Sequence, residues 1–105
     1  MITYIAQVPI KPESHADFES LMDDICATIK ANEPGVPYYA WSKSVEDPNL
    51  YLVVEVYKDV ETHTAHMETP WVKESLPKSG AMLGGKPDIK QYVTPGSEPV
   101  RKRYT

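Results

Sequence analysis

Residues 50–57 read Leu50-Tyr51-Leu52-Val53-Val54-Glu55-Val56-Tyr57, and this stretch decides the architecture. It is β-branched and aromatic, follows a Glu46-Asp47-Pro48-Asn49 turn, and therefore reads as a strand. An antiparallel sheet with one wet face alternates apolar and polar residues along each strand. Here Leu50, Leu52, Val54 and Val56 fill one face, while Tyr51, Val53 and Tyr57 fill the other. Both faces call for burial, so each side of the sheet needs a cover at this strand. Residues 38–45 form a strand joined to it by the short turn, so the two are antiparallel neighbours. Pro37 at the start of that strand suits an edge position.

Working outward, residues 2–8 make a first strand that stops at Pro9. Ser14, three residues before Asp17, resembles the capping box that opens a helix. Phe18, Leu21, Met22, Ile25 and Ile29 then recur at helical spacing on one face, until Asn32-Glu33-Pro34-Gly35 ends the helix. Downstream, Asp59 caps a short helix through about Met67, and Thr69-Pro70 opens another that Pro77 is expected to end. After Gly80, Gly84 and Gly85, residues 89–93 form a fourth strand. The order β-α-β-β-α-β predicts an α+β, ferredoxin-like protomer, an antiparallel sheet with helices on one face and its first and third strands central. Two helical segments cover only one face of such a sheet. The other face, with Leu52, Val54 and Val56, is expected to pack on a second copy, giving a homodimer.

The chain has 105 residues, 41% hydrophobic and 25% charged, with a net charge of -4. That is one folded domain, expected over residues 1–95, with residues 96–105 a polar tail carrying Arg101-Lys102-Arg103. The acidic balance argues against a nucleic-acid partner. No apolar run approaches the ~20 residues of a membrane span, and Met1-Ile2-Thr3-Tyr4 does not open a signal peptide. The only cysteine, Cys26, leaves no disulfide framework, so a cytoplasmic location is expected.

Chemistry concentrates around Glu55, a carboxylate within the most apolar strand. It must be paired, protonated or turned to a wet cavity. It either braces a neighbouring element or serves a ligand. His63 and His66 follow in the next helix and are the candidate acid/base groups. With Val60, Thr64 and Met67 facing the core, His63 lies nearer that face and His66 on its flank; His15 reads as solvated. Tyr38, Tyr39, Trp41, Tyr51, Tyr57 and Trp71 read as core or as walls of a pocket for a flat ligand, with Gln7 as a polar group on strand one. Dinucleotide, phosphate-loop and serine-hydrolase motifs are missing from the sequence, and His63-x-x-His66 is a weak metal signal, so no metal and no cofactor is expected.

Glu33-Pro34-Gly35, Tyr39, Asp47-Pro48, Tyr51-x-x-x-Glu55-x-Tyr57, Asp59, and His66 with Thr69-Pro70 together resemble the antibiotic biosynthesis monooxygenase (ABM) domain family over roughly the first 94 residues. The resemblance implies a dimeric α+β barrel with a ligand cavity between sheet and helices. It also implies that His66, not His63, is the functional histidine, with Glu55 and Tyr57 at the family's Glu-x-aromatic position. The haem-degrading branch expects an Asn on the first strand where this chain offers Gln7, so haem is not carried over. The expected activity is a cofactor-independent monooxygenase or quinol oxidase acting on a small phenol or hydroquinone with dioxygen. His66 would be the base, Glu55 would orient it, and Tyr39, Tyr51, Tyr57, Trp71 and Gln7 would line the substrate. A proton-transfer isomerase of a small carbonyl compound and a non-catalytic ligand binder are the alternatives.

Overall fold

The computed structural model describes residues 1–101. The chain runs β1 (Ile2–Pro9), a 3₁₀ turn (Pro12–Ser14), α1 (His15–Asn32), β2 (Tyr38–Lys43), β3 (Leu50–Tyr57), α2 (Val60–Glu68), α3 (Pro70–Ala81) and β4 (Asp88–Val93). The four strands make one antiparallel sheet in the order β2-β3-β1-β4, so β1 and β3 are central as expected. This is the ferredoxin-like α+β fold.

Period-two alternation sorts the sheet's side chains. Ile2, Tyr4 and Ala6 from β1, and Tyr51, Val53, Glu55 and Tyr57 from β3, are buried on the helix-covered face. α1 brings Phe18, Met22, Ile25 and Ile29 onto them at four- and three-residue spacing, the row one helical face presents. The even positions of β3 point the other way and are only half-buried. Among that outer set Ile5, Tyr38 and Tyr92 are exposed.

Two helix signals differ from their sequence reading. Ser14 does sit at the N-cap of α1, but its side chain makes no capping hydrogen bond. Pro77 does not end α3; the helix continues to Ala81. Proline removes one N–H and crowds the carbonyl four residues earlier. Both Pro77 and Lys73, which owns that carbonyl, face solvent, so water can satisfy the group left over.

The chain after β4 is docked. The side-chain amide of Gln91 accepts from Val100 N–H at 2.7 Å and donates to Val100 C=O at 2.9 Å. Val100 thereby packs on the core. Lys102 and Arg103 of the expected basic tail lie outside the described residues.

Candidate functional site

The strand register builds a polar row across the middle of the helix-covered face. Glu55 stands opposite Tyr39 on β2 and opposite Tyr4 on β1, and Tyr4 stands opposite Gln91 on β4. Directly opposed residues have Cβ atoms about 5 Å apart, so the two phenols flank the carboxylate. Glu55 is 3% exposed, and its Oε1 accepts from the Tyr57 hydroxyl at 2.5 Å. Burial, and then the Glu55 charge, push the Tyr39 phenol well above its ordinary range; the same two causes raise Tyr4. Both phenols therefore stay protonated near neutral pH, the form able to donate.

Beside this row lies a cavity of about 330 Å³ between the sheet and helices α1 and α3. Ala6, Val8 and Val53 form its floor, Phe18, Met22, Leu76 and Leu83 its apolar sides, and Glu55 and Tyr39 its polar end. The space exists partly because β1 carries Ala6, a small side chain, at the centre of the sheet. The volume lies at the lower end of the range for small-molecule sites, and a mostly apolar lining with few polar groups is their usual make-up.

Both histidines of α2 are buried, His63 at 5% exposure and His66 at 1%. The flank on which a helical wheel sets His66 is therefore not open. It faces the end of α1, from which Glu33 reaches it: Glu33 Oε1 lies 2.9 Å from His66 Nδ1. Glu33 Oε2 accepts the Trp71 indole N–H at 2.7 Å. The acid bonded to His66 is thus Glu33, which the sequence reading took as part of a helix stop and of the family motif but not as a site residue. One physical signal did mark it. A carboxylate at the C-terminal end of a helix opposes the helix dipole, so it needs compensating donors. The loop after it is drawn against α2 at Gly35, where a Cβ would come within 2.7 Å of Thr62 Cγ2. Asp59 holds that threonine, accepting from its N–H at 2.8 Å and from its hydroxyl at 2.7 Å.

The rings close around the imidazoles. Tyr57 lies 4.9 Å from His63 and 5.1 Å from His66, Tyr39 lies 5.6 Å from His66, and Tyr4 lies 5.2 Å from His63. Burial lowers His63 to a pKa of about 4, helped by the neighbouring His66. Burial also lowers His66, with the Glu33 hydrogen bond and charge pulling the other way. Near neutral pH the imidazoles are uncharged, the form able to accept a proton.

The sequence-derived site residues therefore divide. Glu55, Tyr57, Tyr39, His66 and Trp71 come together, with Glu33 added. His66 is not among the residues lining the cavity; Tyr39 touches both the cavity and the His66 ring. Tyr51 belongs to a different cluster, its hydroxyl donating to Glu19 at 2.6 Å and its ring packed on Phe18 and Trp41. His15, expected in solvent, is half-buried with its ring 5.7 Å from Tyr51, because the first turn of α1 folds over that ring. Gln7 is exposed on the outer face, paired with Leu52, because odd positions of β1 point away from the helices. Tyr39, Glu33 and Cys26 also line a groove of about 530 Å³ between the end of α1 and the start of β2. Burial raises the Cys26 thiol to about 11, with the Asp23 and Glu55 charges adding to the effect. Among the described residues, no three His, Cys, Asp or Glu side chains are grouped to hold a metal ion, and no helix is long and apolar enough to cross a membrane.

The fold has counterparts. A protein of Caulobacter crescentus, provisionally named an antibiotic biosynthesis monooxygenase, has a crystal structure that superposes with a TM-score of 0.82 at 30% identity, covering 87% of this chain and 86% of that one. A conserved protein of Methanosarcina mazei shares the fold with a TM-score of 0.78 at 24% identity, over 87% of this chain and 89% of the other. An uncharacterised Synechocystis protein is 25% identical over 91 residues, 87% of this chain; the match spans 61% of that protein's length. Residues 1–77, which carry Glu33, Glu55, His66 and Trp71, match the pattern of antibiotic biosynthesis monooxygenases, and the chain belongs to that family.

Proposed function

We propose that this protein is a cofactor-independent monooxygenase, or quinol oxidase, of a small phenol- or hydroquinone-type aromatic, and that it works as a homodimer joined through the outer sheet face. The observation that carries the reading is a mostly apolar cavity whose polar end is a buried carboxylate and a phenol, next to a buried neutral imidazole. The volume of about 330 Å³ suits a compact aromatic ring system.

An electron-rich phenol that has lost its proton gives an electron to dioxygen directly. The resulting radical pair combines at carbon to a peroxide, which loses water to leave a carbonyl: SH₂ + O₂ → S=O + H₂O. On the oxidase branch the same anion ends as quinone and hydrogen peroxide. The protein's part is to place the ring, exclude bulk water and handle one proton. Glu55 and the Tyr39 hydroxyl hold the substrate's oxygen. His66, packed against the Tyr39 ring at the edge of the site, is the base that takes the proton once the substrate's hydroxyl reaches it, and returns it to the departing oxygen.

Oxygen uptake with a panel of hydroquinones and hydroxyanthrones tests this. Uptake that saturates with one of them and drops in Glu55→Gln supports the reading. No uptake with any of them, together with proton exchange or isomerisation of a small carbonyl compound, replaces it with the isomerase. For the homodimer, sedimentation equilibrium is expected to return twice the chain mass.

A further inference from the structure

Resting on the assignment of His66 as the base, we propose that Glu33 is its positioning residue: paired to Nδ1 and pinned by the Trp71 indole, it keeps the proton on Nδ1 so that the opposite ring nitrogen is the one free to accept. Three observations converge on it. The carboxylate lies within hydrogen-bond distance of both Nδ1, at 2.9 Å, and the indole nitrogen, at 2.7 Å. An indole N–H can only donate, so Oε2 is committed as an acceptor and the plane of the carboxylate is set before His66 is considered. The pair is also dry, with the His66 side chain 1% and the Glu33 side chain 9% exposed, so the charge acts on the imidazole with little screening.

Three chain segments meet to make this contact, since Glu33 ends α1, His66 sits in α2 and Trp71 opens α3. Helix α2 reaches it because Gly35 lets the loop after Glu33 pass against Thr62. Glu33 is not among the residues lining the substrate cavity, so it reaches the chemistry through His66. During turnover His66 gains a proton at the free nitrogen and later gives it back, and Glu33 stabilises the imidazolium between those two events. The remaining groups that face His66 are Tyr39 of β2, Tyr57 of β3, with Glu55 bonded to its hydroxyl, and His63 of α2. Glu33 is the carboxylate hydrogen-bonded to the ring itself.

The test is imidazole nitrogen NMR on the intact protein, combined with the pH dependence of oxygen uptake. In the wild type at neutral pH, His66 is expected with Nδ1 protonated. Glu33→Gln keeps an acceptor but removes the charge. With its one oxygen claimed by the Trp71 indole, its amide N–H faces Nδ1, so it should move the His66 proton to the opposite nitrogen, lower the His66 titration by about one pH unit, and move the acid limb of kcat/KM the same way. Glu33→Ala should release the tautomer to a mixture and reduce kcat by about tenfold to a hundredfold. Unchanged His66 tautomer and titration in Glu33→Gln would overturn the proposal, and this variant is close enough in shape to fold. If His66→Ala retains full turnover, the base assignment fails instead. The NMR result on Glu33 is read without substrate, so the two failures remain distinguishable.

Discussion

Two indole N–H groups are given to carboxylates of the same helix, Trp41 to Asp23 at 2.9 Å and Trp71 to Glu33 at 2.7 Å. Around each, a tyrosine of β3 packs on a histidine: Tyr51 on His15 at one end, Tyr57 on His66 at the other. The parts are similar, yet the chemistry they permit is not. At the Tyr51 end the acids are spent on neutral donors and on Lys43, whose ammonium lies 3.6 Å from Glu19 and 5.4 Å from the centre of the Tyr51 ring. Lys43 and Glu19 are 38% and 36% exposed, so their pair is screened and contributes little. At the Glu33 end a fully buried imidazole takes the place of the lysine, and rings replace water. The two ends differ in dryness and in a carboxylate bonded directly to the imidazole, the features on which the proposed function rests.

Matched substitutions at the two ends are the sharpest way to break that comparison. His66→Ala should reduce oxygen-linked turnover by about 10²- to 10⁴-fold, the usual contribution of a general base, while Tyr51→Phe leaves it unchanged. Equal losses in the two variants would mean that both ends serve catalysis, or neither.

Acidification should unfold the imidazole end first. His63 and His66 bind protons less readily when folded than the ordinary value of 6.5, His63 falling to about 4. Between those values the unfolded chain holds more protons than the native one, so stability rises with pH and is lost as pH falls from about 6.5 toward 4. Thermal melts from pH 7.5 to 4.5 should show Tm falling through that window, and His63→Phe should flatten the slope. A melt independent of pH would contradict the buried, neutral imidazoles.

Gly35→Ala should cost about 1–3 kcal/mol by overpacking, because the new methyl meets a threonine that Asp59 already holds. Urea denaturation measures the cost, and an accompanying fall in kcat would show that the loop also sets Glu33. The smallest effects belong to the two tryptophans. Trp41→Phe and Trp71→Phe should each lose about 0.5–1.5 kcal/mol with one hydrogen bond, but only Trp71→Phe should lower kcat, since only its carboxylate partner bonds an imidazole.

The scaffold was far more legible in the sequence than the site. The β-α-β-β-α-β order and the nearly continuous apolar run of β3, interrupted only at Glu55, agreed on a central strand, and the four- and three-residue spacing of Phe18, Met22, Ile25 and Ile29 identified the buried face of α1. These signals are local and periodic. Glu33 carries no periodic signal: in Asn32-Glu33-Pro34-Gly35 it reads as punctuation, marked only by a negative charge at a helix C-terminus and by the family motif, and its contacts arise when two other helices arrive with an imidazole and an indole. The wheel for α2 misplaced His66 because a helix packed on a sheet and on a second helix end has two covered sides. Gln7 and Tyr51 show the converse. Pleat direction sent Gln7 to the outer face and position along β3 gave Tyr51 to Glu19, so the two line a separate hollow of about 250 Å³ with Ser42 and Lys43 and not the cavity beside Glu55.

Cys26 has a practical consequence. With its pKa near 11, only about one molecule in ten thousand carries the reactive anion at pH 7. Maleimides and iodoacetamides should leave it almost untouched, so a cysteine introduced on an exposed helix could take a fluorophore or spin label selectively while the native residue stays in place.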